Sequence, residues 1–141
     1  MTAFFDTSVL VAAFEGSHTH HPESLQRLAA CKPEDSVCSL HTLAELYSSL
    51  TALPVQPRIS PDEALIFIQE VRVRLTAVAL NADEYFATIQ DAATRGLTSG
   101  KIYDALLLAC AAKSQADIIY TWNLKHFRAI APQLTDRIQN P

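Results

Sequence analysis

Four polar residues stand where an otherwise apolar chain has little ordinary use for them: Asp6, Glu45, Asp104 and Asn123. Asp6 follows Ala3-Phe4-Phe5, and Glu45 lies within Leu43-Ala44-Glu45-Leu46. Asp104 falls near the start of the apolar segment 102–112, and Asn123 comes just after the β-branched and aromatic run 118–121. A carboxylate in such surroundings is costly unless it is paired, hydrogen-bonded, at a cleft or on a cation. Three carboxylates and one amide oxygen gathered together make a hard-oxygen site suited to Mg²⁺ or Mn²⁺. An ion held there can lower the pKa of a bound water and so activate it. Each residue also has a purely structural reading. Asp6 fits a helix N-cap, Thr42 and Glu45 fit a capping box, and Asn123 can cap a turn before Phe127. Asp104 can simply favour the positive end of its own helix.

Whether the four converge depends on the elements that carry them. Residues 3–5 read as a short strand and 7–14 as a helix. Further helices are expected over 22–30, with Leu25 and Leu28 inward, and over 43–53, with Leu43, Leu46, Tyr47 and Leu50 as one stripe. Ser60-Pro61-Asp62-Glu63 starts a helix that runs to Arg74, and Asn81 with Glu84 opens another that stops at Gly96. Asp62, Glu63, Asp83 and Glu84 therefore read as helix-start residues. Segment 102–112 is apolar nearly all round, which predicts a central helix. Strands are expected at 36–38, 76–80, 118–121 and 134–138.

Strands separated by helices predict an α/β fold, a mostly parallel sheet with helices on both faces. One domain is expected over 1–141, since the proline-rich stretch 53–57 breaks a helix without separating two self-sufficient halves. Functional groups in such sheets gather at the carboxyl ends of the strands. Asp6, Glu45 and Asn123 all fall there.

The composition is that of a packed protein, 49% hydrophobic and 18% charged. No apolar run is long enough to span a bilayer, and the first residues lack the charged start of a signal peptide, so a cytoplasmic protein is expected. Cys31, Cys38 and Cys110 have no metal-binding or redox spacing and read as reduced, buried small hydrophobes. A net charge of −4 argues against broad non-specific binding of nucleic acid, though not against a metal-bridged cleft that acts on one.

The residues around these acids carry a pattern. Phe5-Asp6-Thr7-Ser8-Val9-Leu10 resembles the opening motif of PIN domains. Leu43-Ala44-Glu45-Leu46 and Ile102-Tyr103-Asp104-Ala105-Leu106 resemble the middle ones, and Thr121-Trp122-Asn123-Leu124-Lys125-His126-Phe127 the closing one. The blocks occur in order over essentially the whole chain. Compact single PIN domains are typically the ribonuclease toxins of VapC-type toxin–antitoxin pairs. The resemblance thus implies a Mg²⁺- or Mn²⁺-dependent endoribonuclease, usually a homodimer, neutralised by a small antitoxin protein. It also implies a central parallel sheet, with Asp6, Asp104 and Glu45 as metal ligands. Many members have a fourth acid at the position of Asn123. An amide there can orient water or a phosphate oxygen but supplies no charge to a second cation, which favours one ion over two.

Several neighbours acquire roles in this reading. Thr7, Ser8 and Thr121 can hydrogen-bond the carboxylates, or simply serve as helix-start and strand-end hydroxyls. Arg95, Lys101, Lys125 and Arg128 can grip the RNA backbone, or be solvated surface charges. His126 can contact substrate or sit at a helix end, and Trp122 can stack a base or pack the sheet edge. His18, His20 and His21 suggest zinc, but no cysteine or second histidine pair stands at ligand spacing, and a solvated loop is expected. A phosphoacceptor or phosphatase-like domain using Asp6 fits less well, because Asp6-Thr7-Ser8 lacks a second acid. A catalytically silent PIN-like module that binds RNA or protein is the other alternative. Apolar positions around Leu25, Leu65 and Ile68 suit core packing, or cover by an antitoxin helix or a second subunit.

Overall fold

The computed structural model describes all 141 residues. Five strands form one sheet: β1 (Ala3–Phe5), β2 (Ser36–Ser39), β3 (Thr76–Val78), β4 (Ile118–Tyr120) and β5 (Ile138–Gln139). Their order is β3-β2-β1-β4-β5, and every pairing is parallel. Seven α-helices connect them: α1 (Thr7–Phe14), α2 (His21–Ala29), α3 (Leu40–Ala52), α4 (Pro61–Arg74), α5 (Ala82–Thr94), α6 (Lys101–Lys113) and α7 (Leu124–Ile130). No helix is long and apolar enough to cross a membrane.

Period-two alternation in the strands divides the core in two. Phe4, Val37 and Ile119 point to one face, where they meet Leu107, Leu108, Phe127 and Ile130 from α6 and α7. Phe5, Cys38 and Tyr120 point to the other, against Val9, Leu10, Leu46, Leu50 and Val71 from α1, α3 and α4. Each such side chain, fully buried, contributes roughly 1.5–3 kcal/mol. The three cysteines are free and buried as expected, and burial pushes the Cys38 thiol up to about 12.

Local signals set most boundaries. Ser60 and Glu63 form a reciprocal capping box at the start of α4, and Asn81 and Glu84 form another at α5. Gly96, at φ +71°, ends α5 in a left-handed turn, with the Leu97 N–H donating to the Ala92 carbonyl.

Five expectations are corrected. Helix α3 starts at Leu40, because the Ser39 hydroxyl accepts from the His41 N–H and becomes the cap in place of Thr42. Leu25 faces solvent at 44% exposure while Leu28 is buried, and Tyr47 is likewise exposed at 41%. The last strand is displaced: Pro132–Arg137 forms a 3₁₀ turn, and only Ile138–Gln139 pairs with β4. Strand β3 is shorter than expected, ending at Val78.

Helix α6 closes with a left-handed residue that is not glycine. Gln115 has φ +55°, with its N–H on the Ala112 carbonyl and the Ala116 N–H on Ala111. For a side-chain-bearing residue this conformation costs about 1–2 kcal/mol, and the exposed Gln115 side chain has no hydrogen-bonding partner to lose. Gln115→Gly therefore raises the urea midpoint at unchanged m-value, a gain of about 0.5–1 kcal/mol after the larger unfolded-state entropy of glycine is counted.

Candidate active site

The strand order reverses between β1 and β4, so their carboxyl ends flank the crevice that parallel sheets offer to ligands. Asp6 lies at that crevice. Its N–H donates to the Tyr120 carbonyl at 3.0 Å, which extends the β1–β4 ladder by one residue. Asp6 occupies the N-cap position of α1, yet its side chain makes no capping hydrogen bond. Instead Oδ2 accepts from the Ser8 hydroxyl at 2.7 Å and the Thr121 hydroxyl at 2.8 Å. The helix-cap account of Asp6 therefore fails.

These two hydroxyls are themselves held. Ser8 Oγ accepts from the Trp122 N–H at 3.1 Å, and Thr121 Oγ1 accepts from the Asn123 N–H at 2.9 Å. Asp6 is only 4% exposed. Burial pushes its pKa above the ordinary value, while the Ser8 and Thr121 hydroxyls, and more weakly the nearby Thr7 and Ser8 amides, pull it back.

Glu45 reaches the same place from the other side. Thr7 Oγ1 lies 3.1 Å from both Glu45 Oε1 and Thr42 Oγ1. Its single proton serves one acceptor at a time, and the carboxylate is the stronger. Because Ser39 caps α3, the Thr42–Glu45 capping box does not form, and the structural account of Glu45 loses its basis. Burial raises the Glu45 pKa and the charge of Asp6 adds to the rise, against the Thr7 hydrogen bond and His41.

Asp104 sits in the first turn of α6, half-buried. Its pKa is pushed up to about 6, first by burial and then by the charges of Asp6 and Glu45, with His126 opposing. The three carboxylates thus share one electrostatic environment. None takes part in a salt bridge; the three ion pairs of the chain lie elsewhere.

The fourth residue differs. Asn123 is exposed, and only its backbone N–H is tied to the site, through Thr121. No three His, Cys, Asp or Glu side chains stand close enough to enclose an ion. The donor set, all carboxylate oxygens with neither thiolate nor imidazole, has the chemistry that would suit a hard divalent ion that keeps water in its shell. Thr7, Ser8 and Thr121 hold the carboxylates, as the sequence allowed.

Trp122 packs and does not stand free for a base. Its ring stacks on His20 at 3.7 Å with an 8° interplanar angle, and Nε1 donates to Ser24 Oγ at 2.8 Å. His21 Nδ1 lies 2.9 Å from the Ala12 carbonyl, and the His18 ring accepts from the His20 N–H. The histidine loop is therefore packed into the crevice wall and is not the freely solvated loop expected. Ser24 and His20 escape sequence reading, because their partner lies about a hundred residues away. Arg95 and Arg128 are also engaged, the first with Asp91 and the Ile130 carbonyl, the second with the Ile138 carbonyl.

A family model described as "PIN domain" matches residues 3–131. The chain is 31% identical over 113 residues to Ribonuclease VapC27 of Mycobacterium tuberculosis, covering 80% of this chain and 79% of that protein. It is 32% identical over 102 residues to Ribonuclease VapC40 of the same species, covering 72% of each. Among solved structures it is similar to Mycobacterium tuberculosis VapC20, a Sarcin-Ricin loop cleaving toxin, with TM-score 0.71 and 20% identity over 91% of this chain and 95% of that one. It is also similar to VapBC2 from Rickettsia felis bound to a promoter DNA fragment, with TM-score 0.67, 22% identity and coverage of 99% and 98%.

The raised Asp104 pKa has a consequence for stability. The folded state holds this proton more tightly than the unfolded chain, whose carboxyl titrates near 3.8, so stability falls as pH rises from that value through about 6. Solvent screens part of this at a half-buried group. In chelator, Asp104→Asn melts above the parent at about pH 8, by roughly 2–4 °C. The difference closes below about pH 4, as calorimetry across pH will read.

Proposed function

The chain belongs to the PIN-domain family, and on that premise we propose that it is a metal-dependent endoribonuclease cleaving RNA phosphodiester bonds. The observation that carries this is the shared electrostatic environment of Asp6, Glu45 and Asp104 at the sheet's crevice, where none of the three is salt-bridged to a lysine or arginine. Two curated relatives are named ribonucleases, and the reading brings that activity to this chain.

Asp6 and Asp104 hold Mg²⁺ or Mn²⁺, with Glu45 binding directly or through water. The bound ion supplies an activated water and offsets charge developing on the phosphate. Ser8 and Thr121 fix the plane of the Asp6 carboxylate by donating to one of its oxygens. Thr7 does the same for Glu45 from the adjacent turn. Asn123, at the rim, orients a water or a phosphate oxygen. Being neutral, it leaves charge enough for one tightly held ion.

The protein acts as the toxin of a toxin–antitoxin pair in the cytoplasm, neutralised by a small antitoxin protein and assembled as a homodimer. Two similar solved structures are of VapBC2 from Rickettsia felis and VapBC-1 from nontypeable Haemophilus influenzae. Leu65, Ile66 and Val73 on α4 stand 50–68% exposed, an apolar surface suited to such a helix. A second apolar area, Leu40, Tyr85, Phe86 and Tyr103, flanks a groove of about 360 Å³ between α3, α5 and α6 and suits a second subunit.

Purified protein is expected to cut a mixed RNA pool, to stop in EDTA and to recover with Mg²⁺ or Mn²⁺. Asp6→Asn and Asp104→Asn each lower the rate by at least about 100-fold, and Ser8→Ala or Thr121→Val by roughly 10–100-fold. Parental rates in both Asn variants would sink the assignment, and RNA binding without cleavage would favour the silent module.

A further inference from the structure

We propose that Lys101, Lys125 and His126 form a subsite for a phosphodiester of the RNA strand that flanks the one being cut. The inference rests on the ribonuclease reading above. The three side chains come from the starts of α6 and α7 and line one cleft of about 280 Å³. The remaining wall is largely apolar: Leu97, Ala129 and Ile130. Cations for a phosphate beside an apolar surface for a base or ribose make the chemistry of a single-stranded nucleotide site.

The cleft adjoins the acids. Lys101 precedes Asp104 by three residues on α6, so the two side chains are neighbours on the helix surface. His126 is near enough for its charge to oppose the rise in the Asp104 pKa. A strand whose scissile phosphate sits at Asp6 and Asp104 therefore passes this cleft.

The other cations of the neighbourhood are occupied. Arg95 and Arg128 tie α7 to α5 and β5. Lys101 and Lys125 engage no carboxylate and no carbonyl, although three carboxylates gather close by. Lysines meant to neutralise Asp104 would be paired with it. These two stay free for an anion from outside. The apolar wall, and the place of Lys101 one helical turn from Asp104, favour RNA over an acidic protein segment.

The test compares the parent with the Lys101→Ala/Lys125→Ala double variant on a single-stranded RNA at varied salt. Both lysines are exposed and bear no fold contacts, so the variant folds. KM is expected to rise roughly tenfold, and the dependence of log kcat/KM on log salt to flatten by about 0.7, for one single-strand phosphate contact. The kcat stays within about twofold, and Mn²⁺ affinity, read by electron paramagnetic resonance, is unchanged. The Lys101→Arg/Lys125→Arg variant retains the parental slope. A parent that cuts RNA and a double variant with the same KM and slope would overturn the subsite alone. A parent that does not cut RNA overturns both readings. A double variant with parental RNA kinetics but lost affinity for polyglutamate would assign the cleft to a protein partner instead.

Discussion

Asp6 sets the terms for the rest of the structure. Its carboxyl is almost wholly buried, lacks a cationic partner and shares its surroundings with two further acids. A charge so placed either neutralises itself or finds a counter-charge. The chain itself supplies half an answer, two hydroxyls donating to one carboxylate oxygen from either side of the crevice. Hydroxyls orient a carboxylate but do not cancel its repulsion of Glu45 and Asp104. What remains is an electrostatic deficit that a divalent ion removes, and a locally unfavourable arrangement of this sort is common where stability has yielded to activity.

Everything that delivers the three acids follows from the sheet being wholly parallel. Parallel strands end on the same edge, and only one gap in β3-β2-β1-β4-β5 separates chains that run outward in opposite directions. Asp6 leaves β1 there, and Thr121 leaves β4. Glu45 arrives because α3 begins directly at the end of β2, capped by Ser39, which turns its second turn toward Thr7. Asp104 arrives on α6, whose residues Ala105 to Leu108 are locked in the core and leave the first turn at the crevice. The rigid elements hold the acids; the hydroxyls only trim them.

Much of this was legible in the sequence, and the gaps have a common cause. The order of strands and helices, both capping boxes at Ser60 and Asn81, and the positions of Asp6 and Asp104 are local or periodic signals, and the structure agrees with them. Thr42 misled because Thr-x-x-Glu is a valid helix start; the competing cap at Ser39 prevails since it joins β2 to α3 without a loop. Leu25 misled because a helical stripe cannot say how wide the buried face is, and α2 buries only Ser24 and Leu28. Trp122 was ambiguous for another reason. Its partners, His20 and Ser24, lie about a hundred residues away along the chain, and no local pattern announces a stack between residues so distant in sequence.

An acidic chain that acts on RNA faces a difficulty its net charge makes plain. At −4 the long-range field repels a polyanion, but at physiological salt that field decays over about 8 Å. Attraction therefore has to be local, and its sources must not cancel one another. On the proposed reading, a lysine paired with Asp104 would remove both a metal ligand and an anchor for substrate. The chain keeps the two apart: its carboxylates stay unpaired at the crevice, while Lys101 and Lys125 stand one helical turn or one element away, over an apolar wall. Under the proposed function, separation of the two charges, and not an excess of either, would let one small site hold a cation and a polyanion together.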